Sequence, residues 1–181
     1  MAKCYYDTSV FSFFLFRGDW DNQYSPTKVG TAYTSLFCDE EIINAHMKGH
    51  FKDLGKDLPF MQITEKLLTV GAMFKRDDIN QSDIRQKFLY MLGSLAQNNI
   101  DLSTEFAKYD KNDKGAIKPL DGMDWMHLSV ADLLGCDTLL TADSGFAGLS
   151  KIGKHLKLEN IKKIVILSSD GKLAKLGEFS V

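Results

Sequence analysis

One segment constrains the fold more than any other: a helix that passes through a tight turn into a short apolar strand, with an acid near each end. It is Asp124–Phe146, DWMHLSVADLLGCDTLLTADSGF. Asp124 stands at the start of the expected helix, and Asp143 lies just past the strand Thr138–Thr141. Open α/β sheets bind their ligands at the edge where strands end, so a helix N-terminus and a strand C-terminus can meet there. A third acid, Asp7, follows the strand candidate Lys3–Tyr6.

The rest of the chain repeats the alternation. Thr8 or Ser9 is expected to cap an apolar helix Val10–Phe16, and Asp19–Tyr24 reads as a loop. Ser25-Pro26 is a helix-start signal, and Val29, Tyr33, Leu36, Ile43 and Met47 follow at helical intervals, which predicts a helix Pro26–Lys48. Leu58–Thr64 reads as a strand followed by a helix Glu65–Lys75. Ser82 is expected to cap a helix Asp83–Gln97, Asn99–Leu102 to form a short strand, and Ser103 to start another helix. Ile164–Leu167 completes the strand set. Such alternation implies an α/β fold with a mostly parallel sheet covered on both faces, a three-layer sandwich. Right-handed crossovers then put every strand C-terminus on one side, including those before Asp7 and Asp143.

A length of 181 residues fits one domain spanning 1–181, and a hydrophobic content of 44% suffices for its core. The formal charge of −2 argues against a surface that binds polyanions throughout. The lysine-rich stretch from Lys151 onward reads equally as a solvated face or a nucleic-acid contact. Cys4, Cys38 and Cys136 form no CxxC motif and are odd in number, which suggests buried thiols in a reducing, cytoplasmic setting. The apolar start, MAKCYYDTSVFSFFLF, is too short and interrupted for a membrane span and has no cleavage site, so no membrane partner is expected.

Three carboxylates at one sheet edge repel one another. They can respond by sharing protons, or by binding Mg²⁺ or Mn²⁺, which prefer oxygen ligands. A bound cation would orient a phosphate and acidify a water, the components of metal-assisted phosphodiester hydrolysis. Asp124 has a simpler explanation as well, because a carboxylate at a helix start is stabilised by roughly 0.3–1 kcal/mol.

Asp7-Thr8-Ser9-Val10, then Asp124 with His127, Leu128 and Ala131, then Leu140-Thr141-Ala142-Asp143 with Phe146 resemble the PIN-domain family of ribonucleases. The order of elements agrees over nearly the whole chain. The resemblance implies a sheet of four or five parallel strands and an acidic pocket for one or two Mg²⁺ or Mn²⁺ ions. It also implies endoribonuclease activity on single-stranded RNA, with Asp7, Asp124 and Asp143 as catalytic metal ligands. Many members of the family are toxins paired with an antitoxin protein, others process RNA, and homodimers are common. The family also carries a glutamate about six residues past a serine or threonine that ends the second strand. Counting from Thr64 reaches Val70, so Glu65 is the nearer acid there. Counting from Ser35 reaches Glu41, which requires a strand over Gly30–Ser35. Glu65 is the preferred fourth acid and Glu41 the alternative. The helices between the first and third acids make the chain longer than compact PIN toxins.

Other candidates carry less. Thr8, Ser9 and Thr141 suit capping as well as carboxylate support. His127 reads as a packed helix residue more than a base, and Asp132 as a solvated acid. His46 and His50 share zinc-helix spacing without an HExxH motif, and Asp110–Gly115 lacks the glycine and glutamate positions of a calcium loop. Phe11, Phe13, Phe14 and Phe16 suit core packing or a dimer face. A haloacid-type phosphatase would need an acid where Ser9 stands. The expected activity is metal-dependent RNA hydrolysis, as a toxin or defence nuclease. The alternative is a PIN-like module, impaired in catalysis, that binds RNA or protein.

Overall fold

A computed structural model describes residues 2–18, 20–49, 58–76, 78–102, 120–168 and 173–181. Five segments pair into one sheet: β1 (Lys3–Tyr6), β2 (Thr31–Tyr33), β3 (Thr138–Thr141), β4 (Lys163–Leu167) and β5 (Lys175–Ser180). The strand order is β2-β1-β3-β4-β5. The first four run parallel, and β5 lies antiparallel to β4 at one edge. Six α-helices connect them among the described residues: α1 (Thr8–Phe16), α2 (Leu36–Met47), α3 (Phe60–Thr69), α4 (Gln81–Gln97), α5 (Gly122–Leu133) and the short α6 (Leu149–Ile152). None is long and apolar enough to cross a membrane.

Side chains alternate across the sheet and so divide the core in two. Tyr5, Leu139 and Ile164 point to one side, where they pack with Met91 and Leu95 of α4 and with Leu128 of α5. Tyr6, Leu140 and Val165 point to the other, against Phe11 and Phe14 of α1, Ile42 of α2 and Ile63 of α3. The expected α/β class with helices on both faces is therefore present, and α2, α3, α4 and α5 all lie between β2 and β3. The aromatic residues of α1 belong to this core. Phe11 and Phe14 are fully buried, and Phe13 and Phe16 pack into the same core with only a small part of each ring left accessible.

Two expected elements are replaced. The helix predicted over Pro26–Lys48 is a turn, then β2, then α2. Ser25–Val29 closes on itself through Lys28 N–H to Ser25 O and Val29 N–H to Ser25 O, at 2.8 and 3.2 Å. Pairing of Lys3, Cys4 and Tyr5 with Thr31, Ala32 and Tyr33 supplies ladder bonds that helical spacing cannot reveal. The strand expected at Leu58–Thr64 is instead the start of α3. Pro59 sits at its N-cap, Ile63 faces the core and Met61 is exposed, a helical division of sides. The helix expected to run to Lys75 stops at Thr69, and Gly71–Met73 is a 3-10 turn.

Smaller corrections follow the same logic. Asn99–Leu102 is not a strand: Asn99 has φ 57°, and Ile100 N–H bonds Leu95 O, which closes the end of α4. The N-cap of α4 is Asn80, not Ser82. β5 was not expected, and its mostly exposed, charge-bearing pattern explains why an edge strand lacks an apolar signature. The helix expected from Ser103, the loop Asp110–Gly115 and His50 lie outside the described residues. The turn between α5 and β3 is as tight as expected. Gly135, at φ 69°, and Cys136 donate to Asp132 O and Ala131 O, both at 3.0 Å.

Candidate functional site

At the edge where β1 and β3 end, a cavity of about 270 Å³ is lined by Asp7, Thr8, Ser9, Ser12, Glu41, Ile42, Ala45, Asp121, Asp124, His127 and Asp143. The three acids expected from the sequence therefore line one space. Glu41 joins them from α2, and Glu65 does not: it lies exposed on α3 and outside the lining. Glu41 reaches the cavity because Thr31–Tyr33 is a strand, which puts Ser35 at the start of α2 and Glu41 on its inner side.

Asp7 is the N-cap of α1, a role expected of Thr8 or Ser9. Its Oδ1 accepts from Val10 N–H at 3.1 Å and from Ser9 Oγ at 2.5 Å. Ser9 Oγ also accepts from Ala142 N–H at 2.8 Å, which ties the start of α1 to the end of β3. Burial pushes the Asp7 carboxyl above its ordinary range, against the opposing pull of His127 and of hydrogen bonds from Ser9, Thr141 and Val10. Such a group is costly to ionise without a nearby positive charge.

Asp124 does not open α5 but stands at its third position. Its Oδ2 accepts from Asp121 N–H at 2.9 Å, while Asp121 Oδ1 accepts from Asp124 N–H at 3.0 Å. This is a capping box, so the helix-capping account of Asp124 holds together with its place in the cavity. Asp121 also lines the cavity, an acid outside the expected set. Asp143 caps the 3-10 turn Ser144–Gly148 through Gly145 N–H, at 2.7 Å.

Glu41 is held by His127, whose Nε2 donates to its Oε2 at 2.8 Å, and by the Thr8 hydroxyl. On the opposite side of the ring, His127 Nδ1 lies 2.8 Å from Tyr5 Oη, which in turn lies 2.8 Å from Ser35 Oγ. Burial alone would lower the His127 pKa, but Cys38, Glu41 and Asp7 around the ring raise it well above the usual histidine value. Burial likewise works to raise Glu41, and the bonds from His127 and Thr8 outweigh it and hold Glu41 below the ordinary carboxylate range. Both shifts run toward the charged forms, His127 through the groups around its ring and Glu41 through the bonds it accepts. The helix carrying Glu41 is fixed in turn by Arg76, whose Nε and Nη2 reach both oxygens of Asp39 at 3.0 Å. His127 lies in the recognisable DxxH spacing, yet its link to Glu41 has no local signal.

Asp132 corrects another expectation. It is 1% exposed and not solvated. It accepts backbone N–H bonds from Glu159, Asn160 and Ile161 and pairs with Lys87 Nζ at 2.5 Å, away from the acid cavity.

The cavity offers carboxylate and hydroxyl oxygens, a donor set that matches Mg²⁺ or Mn²⁺ and not a thiophilic metal. As the side chains stand, each acid of the lining has an oxygen that accepts a hydrogen bond within the protein, and among the described residues no group of three or more His, Cys, Asp or Glu has ion-holding geometry. His46 lies outside the lining, and nothing among the described residues joins it in a zinc site. No family model, curated protein or solved structure significantly matches this chain.

Proposed function

We propose that the chain is a Mg²⁺- or Mn²⁺-dependent endoribonuclease acting on single-stranded RNA, PIN-like in plan. The observation that carries this reading is the gathering of Asp7, Glu41, Asp124 and Asp143 from separate elements into one cavity at the C-terminal edge of the sheet. These four acids would hold the ion. When bound, it supplies positive charge against a phosphate and acidifies a water.

The chain's own residues then have distinct tasks. Asp7, inaccessible and reluctant to ionise alone, supplies a carboxylate whose charge is completed by a cation. His127 keeps Glu41 ionised and oriented, and Ser9 locks Asp7 to the end of β3. Asp121 and Asp124 hold the start of α5 at the rim through their reciprocal bonds. No thiol nucleophile is involved, since Cys38 is completely buried. A toxin or defence nuclease with an antitoxin-like partner fits this chemistry.

A second reading, a PIN-like RNA- or protein-binding module without turnover, draws on Asp124, whose carboxylate is engaged in helix capping. One assay separates them. Single-stranded RNA incubated with Mn²⁺ should be cut by the wild type and left intact by Asp7→Asn and Asp143→Asn, each still folded by circular dichroism. Cleavage at the wild-type rate by both variants would sink the nuclease mechanism, and binding without cleavage by the wild type would establish the module.

A further inference from the structure

A second cavity, of about 400 Å³, adjoins the acidic one, and Ser9, Ser12 and Asp143 line both. Its other walls differ in chemistry: Phe13 and Phe16 from the end of α1, Arg17 beyond them in the chain, and Ala142, Ser144 and Leu173. Phe13 and Arg17 are one helical turn apart, so an aromatic wall and a guanidinium lie on neighbouring parts of one surface. Phe13 and Phe16 are only 8% and 7% exposed, so the wall is held by the core, while Arg17 and Ser144 are exposed. Phe13 also meets Phe14 edge to face at 5.4 Å, which fixes its ring.

A strand whose phosphate lies in the acidic cavity must carry its next nucleotide out along one of the adjoining surfaces. That nucleotide brings a flat apolar base and an anionic phosphate. The second cavity offers the complement of each, and its volume lies within the roughly 300–1,000 Å³ of small-ligand sites. Unstacked bases bind aromatic side chains with little regard to sequence, whereas a paired and stacked base cannot enter such a space. We propose that this second cavity is the subsite for the unpaired nucleotide next to the scissile phosphate, its base against Phe13 and Phe16 and its phosphate on Arg17. The assignment rests on the nuclease reading and would explain a preference for single strands. Arg17 is here a binding residue with no part in bond cleavage.

Uridine 5′-monophosphate is the probe, titrated into the intact protein in chelator-containing buffer and followed by ligand-observed NMR. The wild type should bind it at millimolar concentration, and Arg17→Glu and Ser144→Trp should each weaken binding at least tenfold. Uridine, which lacks the phosphate, should bind less tightly than the monophosphate, be indifferent to Arg17→Glu and be excluded by Ser144→Trp. Both substitutions are at exposed positions, and thermal melting checks that they fold. Equal binding to all three proteins, or no binding to the wild type, overturns the subsite. The nuclease reading fails separately, if the wild type does not cut RNA with Mn²⁺. Intact cleavage without nucleotide binding removes only the subsite.

Discussion

His127 Nε2 stands 2.8 Å from Glu41 Oε2, although the two residues are 86 positions apart. The contact joins α5 to α2 within the lining of the acid cavity.

Glu41→Gln should lower Mn²⁺-dependent RNA cleavage by about 100-fold or more, on the scale of losing one charge-stabilising group. Glu65→Gln, on the exposed side of α3, should leave the rate unchanged. Initial rates on one labelled oligonucleotide decide the matter, and the reverse order would return the fourth acid to α3.

His127→Ala should reduce rather than abolish cleavage, by roughly 10–100-fold, as expected of a residue that orients a ligand. It also strips partners from Tyr5 and Glu41, so denaturant unfolding should show a loss of about 1–3 kcal/mol. A histidine that only packs would change stability and leave the apparent Mn²⁺ dependence of the rate unmoved.

Asp7→Asn should raise the melting temperature in metal-free buffer at neutral pH. The folded pKa of Asp7 is raised by burial, so its protonated form is favoured on folding. The wild type therefore loses stability as pH rises from the unfolded carboxylate pKa through the folded one, and the asparagine variant escapes that loss while keeping an N-cap residue. The advantage of the variant should narrow as pH falls. A variant less stable than wild type at neutral pH would show that the Asp7 charge is well compensated within the protein.

Asp132→Asn should cost about 3–5 kcal/mol, because it leaves the buried Lys87 ammonium without its closest partner. Burial works to raise the Asp132 pKa, but the Lys87 bond and the three backbone donors lower it overall. Its stabilising contribution is therefore present above the unfolded carboxylate pKa and is lost as pH falls through the lower, folded value. Urea unfolding across the acid range should show a steeper decline for wild type than for Asp132→Asn. Lys87→Met on the Asp132→Asn background should recover much of the loss, since it removes the uncompensated ammonium while the asparagine oxygen still accepts from the backbone donors.

Gly135→Ala tests the hinge of the segment that most constrains the fold. The position has φ 69°, and an added Cβ meets only Lys3 Nζ at 3.7 Å, so the cost is conformational and not a clash. A loss of roughly 1–2 kcal/mol is expected, measured by denaturant unfolding.

Much of this arrangement is legible in the sequence because its signals are local. The apolar strands at Lys3–Tyr6, Thr138–Thr141 and Ile164–Leu167 read correctly, as do the helix–glycine–strand order and the placement of Asp7 and Asp143 just past strand ends. The misread elements are those whose state depends on partners. Thr31–Tyr33 is too short to declare itself and is a strand because β1 lies beside it. Phe60–Thr69 contains β-favouring residues, but only the core behind Ile63 makes it helical.

Local signals suffice for the α/β class and the strand-end positions of two acids, because hydrophobic periodicity and turn residues act within a few positions of the chain. Long-range packing is what gives Glu41 and His127 a shared hydrogen bond, lets Asp124 cap its helix while lining the cavity, and buries Asp132 against Lys87. These are choices between groups far apart in the chain, made by burial: a charge removed from water must find its partner wherever packing has placed it.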